Sequence, residues 1–162
     1  MASGKSDLAR TADLLNSAAI HLLRSLAGVD RESGLTPARL SALSVVVFGG
    51  PCLIGQLAQA EGVTAPTMSR VVDGLAELGL VKRAANPLDS RGVLVAATEA
   101  GTHLMYAARQ RRLDAIRAAL RRLGLAERRA LVGAAPALAS LARVASETAS
   151  EPSAANAARR RQ

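Results

Sequence analysis

The sequence predicts an all-α fold with one small β-hairpin set late among the helices. Three observations predict it. Apolar residues recur at helical spacing over most of the chain. Strand-like pattern is confined to Val81–Ala84 and Gly92–Ala97, with the turn residues Asn86-Pro87-Leu88-Asp89 between them. Capping hydroxyls, prolines and glycines stand where the helical patterns begin and end.

At 162 residues the chain is expected to be one domain over 7–149, with unstructured ends at 1–6 and 150–162. Phe48 and Tyr106 are its only aromatics and it has no Trp, so the core must come from Leu, Val, Ile, Ala and Met. These side chains bury little area each. A second copy of the chain would supply the missing buried surface.

The formal net charge is +8, and nineteen of the 21 basic residues are Arg. Such a balance suits nucleic acid or a membrane surface. It equally fits a bias toward arginine codons. Its distribution is informative. From Gly50 to Ala100, Arg70, Lys82, Arg83 and Arg91 face Glu61, Asp73, Glu77, Asp89 and Glu99, a net of −1. The surplus lies mainly in Arg109–Arg129 and Arg159–Arg161.

The single cysteine, Cys52, excludes an internal disulfide framework and a Cys-rich zinc site. The opening MASGKSDLARTADLL lacks the apolar core of a signal peptide. No apolar run approaches the length of a membrane span. A cytoplasmic protein with no membrane association is expected.

A first helix is expected from Leu8, capped by Asp7, to about Gly28, where VDRESGL breaks it. Thr36-Pro37 starts a second, which ends at Gly49-Gly50-Pro51. Cys52-Leu53 reads as a very short strand, and Ile54–Ala60 as a short third helix. Glu61-Gly62-Val63 is a tight turn. Thr64 caps a fourth helix that runs to about Leu78, with Gly79 stopping it. After the hairpin, Thr98-Glu99 opens a fifth helix that reaches Leu123. A sixth runs from about Ala126 to Ser146, and Pro136 inside it is expected to kink or split it. The tail SEPSAANAARRRQ is polar and basic.

The third and fourth helices with their turn have helix-turn-helix proportions. At 100° per residue, Met68, Val71, Val72, Leu75 and Leu78 form an inward stripe, and Pro66, Arg70, Asp73 and Glu77 lie opposite. Thr67 and Ser69 flank that outer face. Short polar side chains allow close approach to a groove, and an arginine can fork onto guanine. The helix alone leaves two readings open, a recognition helix or an ordinary amphipathic surface helix. The hairpin that follows makes the segment a winged helix, spanning about 37–97. Arg91 near the wing tip can insert into a minor groove, and Asp89 can accept hydrogen bonds from it. Alternatively the two are a turn aspartate and a solvated arginine.

The stretch GQLAQAEGVTAPTMSRVVDGLAELGLVKRAANPLDSRGVLVAATEAG resembles the MarR (multiple antibiotic resistance regulator) family. The flanking helices follow the family's order more loosely, from about Asp7 to Val144. The resemblance implies a homodimer joined through helices at about 8–28 and 98–149. It also implies repression of transcription from a pseudo-palindromic operator on duplex DNA. Release by a small phenolic or apolar effector is a further implication. Carried over by position, Pro66, Thr67, Ser69 and Arg70 meet the major groove, Asp89 and Arg91 form the wing tip, and Thr64 caps the helix beside a phosphate. Two positions depart from the family. Gly74 and Ser90 stand where basic residues are frequent, which implies fewer phosphate contacts and a shallower salt dependence.

Cys52 is read as packing at a helix junction rather than as a redox switch, because no Lys, Arg or His flanks it. His21 and His103 are read as packing or surface residues. No cofactor, metal site, P-loop, dinucleotide fingerprint or nucleophile–base pair is evident, so no enzyme is expected. The alternative function is a helical module whose winged helix docks a protein partner, a reading the −1 window keeps open.

Overall fold

The computed structural model describes residues 2–86 and 89–150; the side chains at 2–5, 86–91 and 149–150 lie outside that description. The expected tail at 151–162 and the turn residues Pro87 and Leu88 lie outside it as well.

The elements run α1 (Ala2–Arg31), α2 (Pro37–Gly49), β1 (Cys52–Leu53), α3 (Ile54–Ala60), α4 (Ala65–Glu77), β2 (Val81–Asn86), β3 (Asp89–Ala97), α5 (Glu99–Arg122) and α6 (Leu125–Ser150). The three strands form one antiparallel sheet in the order β1-β3-β2. Leu53 pairs with Leu94, and β2 pairs with β3 from Val81↔Ala97 to Ala85↔Val93. The helical order with a small sheet is the winged-helix architecture that the sequence predicts.

Local signals account for most boundaries. Thr36 Oγ1 accepts from the Arg39 amide and Pro37 takes the first helical position, so α2 starts where a missing N–H costs nothing. The Gln56 side chain accepts from the Leu53 amide at the start of α3. Gly79, at φ 69°, lets the chain reverse after α4, and the Leu80 amide then donates to Leu75 O at 2.9 Å.

Where sequence and structure differ, the cause is visible. α1 begins at Ala2, so Asp7 lies inside it and caps nothing, and residues 2–6 belong to the helix. It also runs past Gly28 to Arg31, because the amides of Glu32, Ser33 and Gly34 take up the carbonyls of Val29, Asp30 and Arg31. Leu78 is 52% exposed rather than inward: α4 ends at Glu77, and Leu78 is already its C-cap. β2 and β3 extend beyond the expected spans to Asn86 and from Asp89, because the ladder pairs backbone groups whatever the side chains are. Pro136 does not split α6, which continues as one helix from Leu125 to Ser150.

The chain forms two compact units, the first up to Arg117 and the second from Ala118. The core of the first lies where α2, α3 and α4 meet the sheet and the start of α5. Leu43, Leu57, Val72, Leu75 and Val95 are fully buried there, with Met68, Leu80, Val81 and Met105 around them. The corner after α4 is tied to α5 by Thr98. Its hydroxyl donates to Gly79 O at 2.7 Å and accepts from the Gly101 amide at 3.0 Å.

The long helices contrast with this core. In α1, Leu8, Leu14, Ile20, Leu22 and Leu23 are exposed and, among the described side chains, only Leu26 is buried. In α6 no described residue is buried, and Leu125, Leu131, Val132, Leu138, Leu141 and Val144 face outward.

Candidate nucleic-acid interface

The N-terminal turn of α4 presents the residues that the sequence singles out. Thr64, Pro66, Thr67 and Arg70 are exposed, while Ser69 is half-buried. Thr64 caps the helix by accepting from the Thr67 amide, and the two hydroxyls lie 2.9 Å apart. The burial of Met68, Val72 and Leu75 orients α4, because one apolar stripe on the core forces the opposite face outward. Arg70 lies on that outward face. Among the described residues its guanidinium has no hydrogen-bond or ion-pair partner.

Ser69 is not free in the same way. Arg83 Nη2, from β2, donates to Ser69 Oγ at 2.9 Å and to Ser69 O at 3.3 Å. Arg83 Nη1 also stands 2.6 Å from Asp73 Oδ1, so one guanidinium spans two residues of α4. This ties the wing strand to the helix and cancels the Asp73 charge. Both partners keep substantial exposure, so the pair contributes no more than about 1 kcal/mol of stability. Sequence reasoning missed this role for Arg83. Its only local signal is a basic residue on the strand after the helix.

Gly74 corrects a second expectation. It is buried and does not form part of the exposed face. The guanidinium of Arg39, on α2, covers it. A Cβ at 74 would overlap Arg39 Nη2 and would stand 2.6 Å from Cζ. The charge that glycine takes from this strip of α4 is therefore returned by another helix. No sequence signal local to α4 reveals that.

Asp89 and Arg91 are the first and third residues of β3, on the wing. Their side chains, that of Ser90 and the expected Asp89–Arg91 brace lie outside the described residues.

Away from α4, a cavity of about 320 Å³ lies between the end of α1, the start of α2 and α5. Leu40, Met105 and Ala108 give it apolar walls, and Ser41, Ser44, Asp30 and Arg112 give it polar ones. Arg112 forks onto the Asp30 carboxylate through Nε and Nη2. The hydrogen bond to Asp30 raises the Arg112 pKa above its ordinary value; burial opposes this and Coulombic attraction adds to it. Phe48 and Tyr106 meet edge to face with ring centroids 5.6 Å apart, both about half exposed. Cys52 sits on β1, half-buried, and burial pushes its thiol above the ordinary value, which disfavours the reactive thiolate. No helix among the described residues is long and apolar enough to cross a membrane.

Comparison with known proteins agrees with this geometry. Residues 33–92 match the model of the MarR family. An HTH-type transcriptional regulator of Mycobacterium tuberculosis is 38% identical over 133 residues, which cover 82% of this chain and 93% of that protein. A Mycobacterium bovis regulator matches to the same extent. Among solved structures, a MarR family protein from Bacillus stearothermophilus superposes with a TM-score of 0.73 at 20% identity, covering 86% of this chain and 95% of the other. NadR, solved in complex with 4-hydroxyphenylacetate, gives a TM-score of 0.61 at 21% identity, covering 80% of this chain and 90% of the other. At those identities the two structures speak to the fold.

Proposed function

Because this chain belongs to the MarR family of transcriptional regulators, we propose that it acts in the cytoplasm as a homodimeric repressor on a pseudo-palindromic operator. The observation that carries the reading is the outward N-terminal turn of α4, where Arg70 stands exposed beside Pro66 and Thr67 and without a partner among the described residues. An arginine so placed can take guanine O6 and N7 in a major groove. The Thr64 hydroxyl and the exposed N-terminus of α4 suit a phosphate. Ser69 contributes by holding Arg83 at the groove edge. Arg91, braced by Asp89, reads the minor groove.

The exposed apolar side chains of α1 support dimerisation, as do those of α6. So much apolar surface on a helix calls for a cover, and a second copy of the chain is the cover the family suggests. The protein-docking alternative loses its main support. The −1 charge window counts Asp73, which Arg83 neutralises, and omits Arg39, an α2 residue whose guanidinium rests against Gly74 of α4.

The cavity beside Arg112 supports regulation by a small apolar or phenolic effector. Its volume is at the low end for small-molecule sites, and its hydroxyls suit one polar group. Pro37 and Leu40 line it from the helix that also carries Arg39, so a bound molecule would bear on α2.

Selection of bound fragments from the parent genome tests the function. The account expects a two-fold symmetric motif with half-sites about one helical turn apart, roughly 34 Å. It expects Arg91→Ala to bind the recovered duplex more weakly. Recovery of no common motif would overturn the operator reading, and full-strength binding by Arg91→Ala would remove the wing from it.

A further inference from the structure

Arg39 and Gly74 form a contact that the DNA-reading residues above do not use. Gly74 lies one turn beyond Arg70 on α4, so the two share a strip of the helix surface. The strip is closed at 74 by the Arg39 guanidinium: a Cβ there would overlap Nη2 and stand 2.6 Å from Cζ and 2.7 Å from Nε. Glycine is a poor helix residue, and here its missing side chain is the seat of a cation. Arg39 is half-buried, and among the described residues its guanidinium has no carboxylate and no hydrogen-bond acceptor.

The other flank of α4 differs. Arg83 stands there, and Asp73 already answers its charge. A helix with its side chains fills most of the width of a major groove, so groups seated on its flanks lie close to the phosphates that border the groove. A partly desolvated guanidinium with no anion of its own is complementary to such a phosphate.

We propose that Arg39 is a DNA-backbone contact: carried by α2 and seated on Gly74, it takes a phosphate at the edge of the groove that α4 enters. The proposal rests on α4 being the DNA-reading helix. It supplies positive charge to the reading face without altering the α4 sequence.

The test is fluorescence anisotropy on a duplex recovered by selection with the wild-type protein, repeated at several salt concentrations. Arg39→Gln should weaken binding about tenfold, on selected and random duplexes alike. It should lower the slope of log Kd against log salt by about one for each bound protomer. Arg39→Lys should keep most of the affinity, because a phosphate also accepts a point charge. Gly74→Ala should weaken binding in the same direction by displacing the guanidinium, while its melting temperature holds or rises. An unchanged salt slope in Arg39→Gln would overturn the proposal, as would an affinity loss that only follows a fall in melting temperature. If wild-type protein binds and Arg70→Ala does not, normal binding by Arg39→Gln sinks this inference alone. If wild-type protein shows no salt-dependent DNA binding, the DNA reading of α4 fails and the role of Arg39 fails with it.

Discussion

Gly74 on α4 and Gly101 on α5 both leave no room for a Cβ, but different neighbours crowd them. At Gly101 the neighbour is backbone: a Cβ would overlap Leu80 O and stand 2.9 Å from Leu80 C, with Leu43 Cδ1 at 3.3 Å. At Gly74 it is the tip of a long side chain. Backbone at Leu80 cannot step aside without moving the corner that joins α4 to β2, which Thr98 and its hydrogen bonds hold. A guanidinium can swing away. The first glycine is therefore a demand of the fold, and the second is a demand of the seated Arg39 guanidinium.

Substitution should separate the two. Gly101→Ala should cost about 3 kcal/mol through overpacking, a fall of roughly 10 °C in melting temperature for a chain of this size. A melting temperature within about 2 °C of wild type would show that the corner yields and that the contrast is false. Gly74→Ala makes the same chemical change. Helix propensity alone would favour it by about 1 kcal/mol, and its penalty should instead appear in DNA affinity.

Asp73→Asn sharpens the comparison at the opposite flank of α4 and has the smallest expected effect. It breaks the pair at 2.6 Å but leaves Arg83 bonded to Ser69. Stability should fall by less than about 1 kcal/mol, because both groups are exposed. DNA binding should tighten a few-fold, because the change frees a positive charge on the flank of α4. Weaker binding would mean that Asp73 positions Arg83, and that the two flanks are not opposites in charge.

The winged helix was largely legible in the sequence because its boundaries are local. Thr36-Pro37, Thr64 and Gly79 act within one helical turn of themselves, and each stands where the sequence predicts. The errors fall where distant parts of the chain meet or where the chain changes direction. Leu78 fits the apolar stripe by spacing, yet the helix ends one residue before it. Gly74 reads as a lost charge until Arg39 is brought over it from α2. Arg83 reads as strand surface until it reaches back to Ser69 and Asp73. A charge sum over a sequence window fails for the same reason, because side chains from α2 and β2 rest on α4. The lining of the cavity beside Arg112 was illegible too, since it joins Asp30, on α1, to Met105, on α5.

The central claim is that the outward face of α4 reads DNA through Arg70. Anisotropy of wild-type and Arg70→Ala protein on the selected duplex, with a random duplex as control, tests it most directly. The account predicts binding about ten- to a hundredfold weaker for Arg70→Ala on the selected duplex, in line with the loss of one bidentate base contact, and a much smaller change on the random one. Full-strength, sequence-selective binding by Arg70→Ala would contradict it.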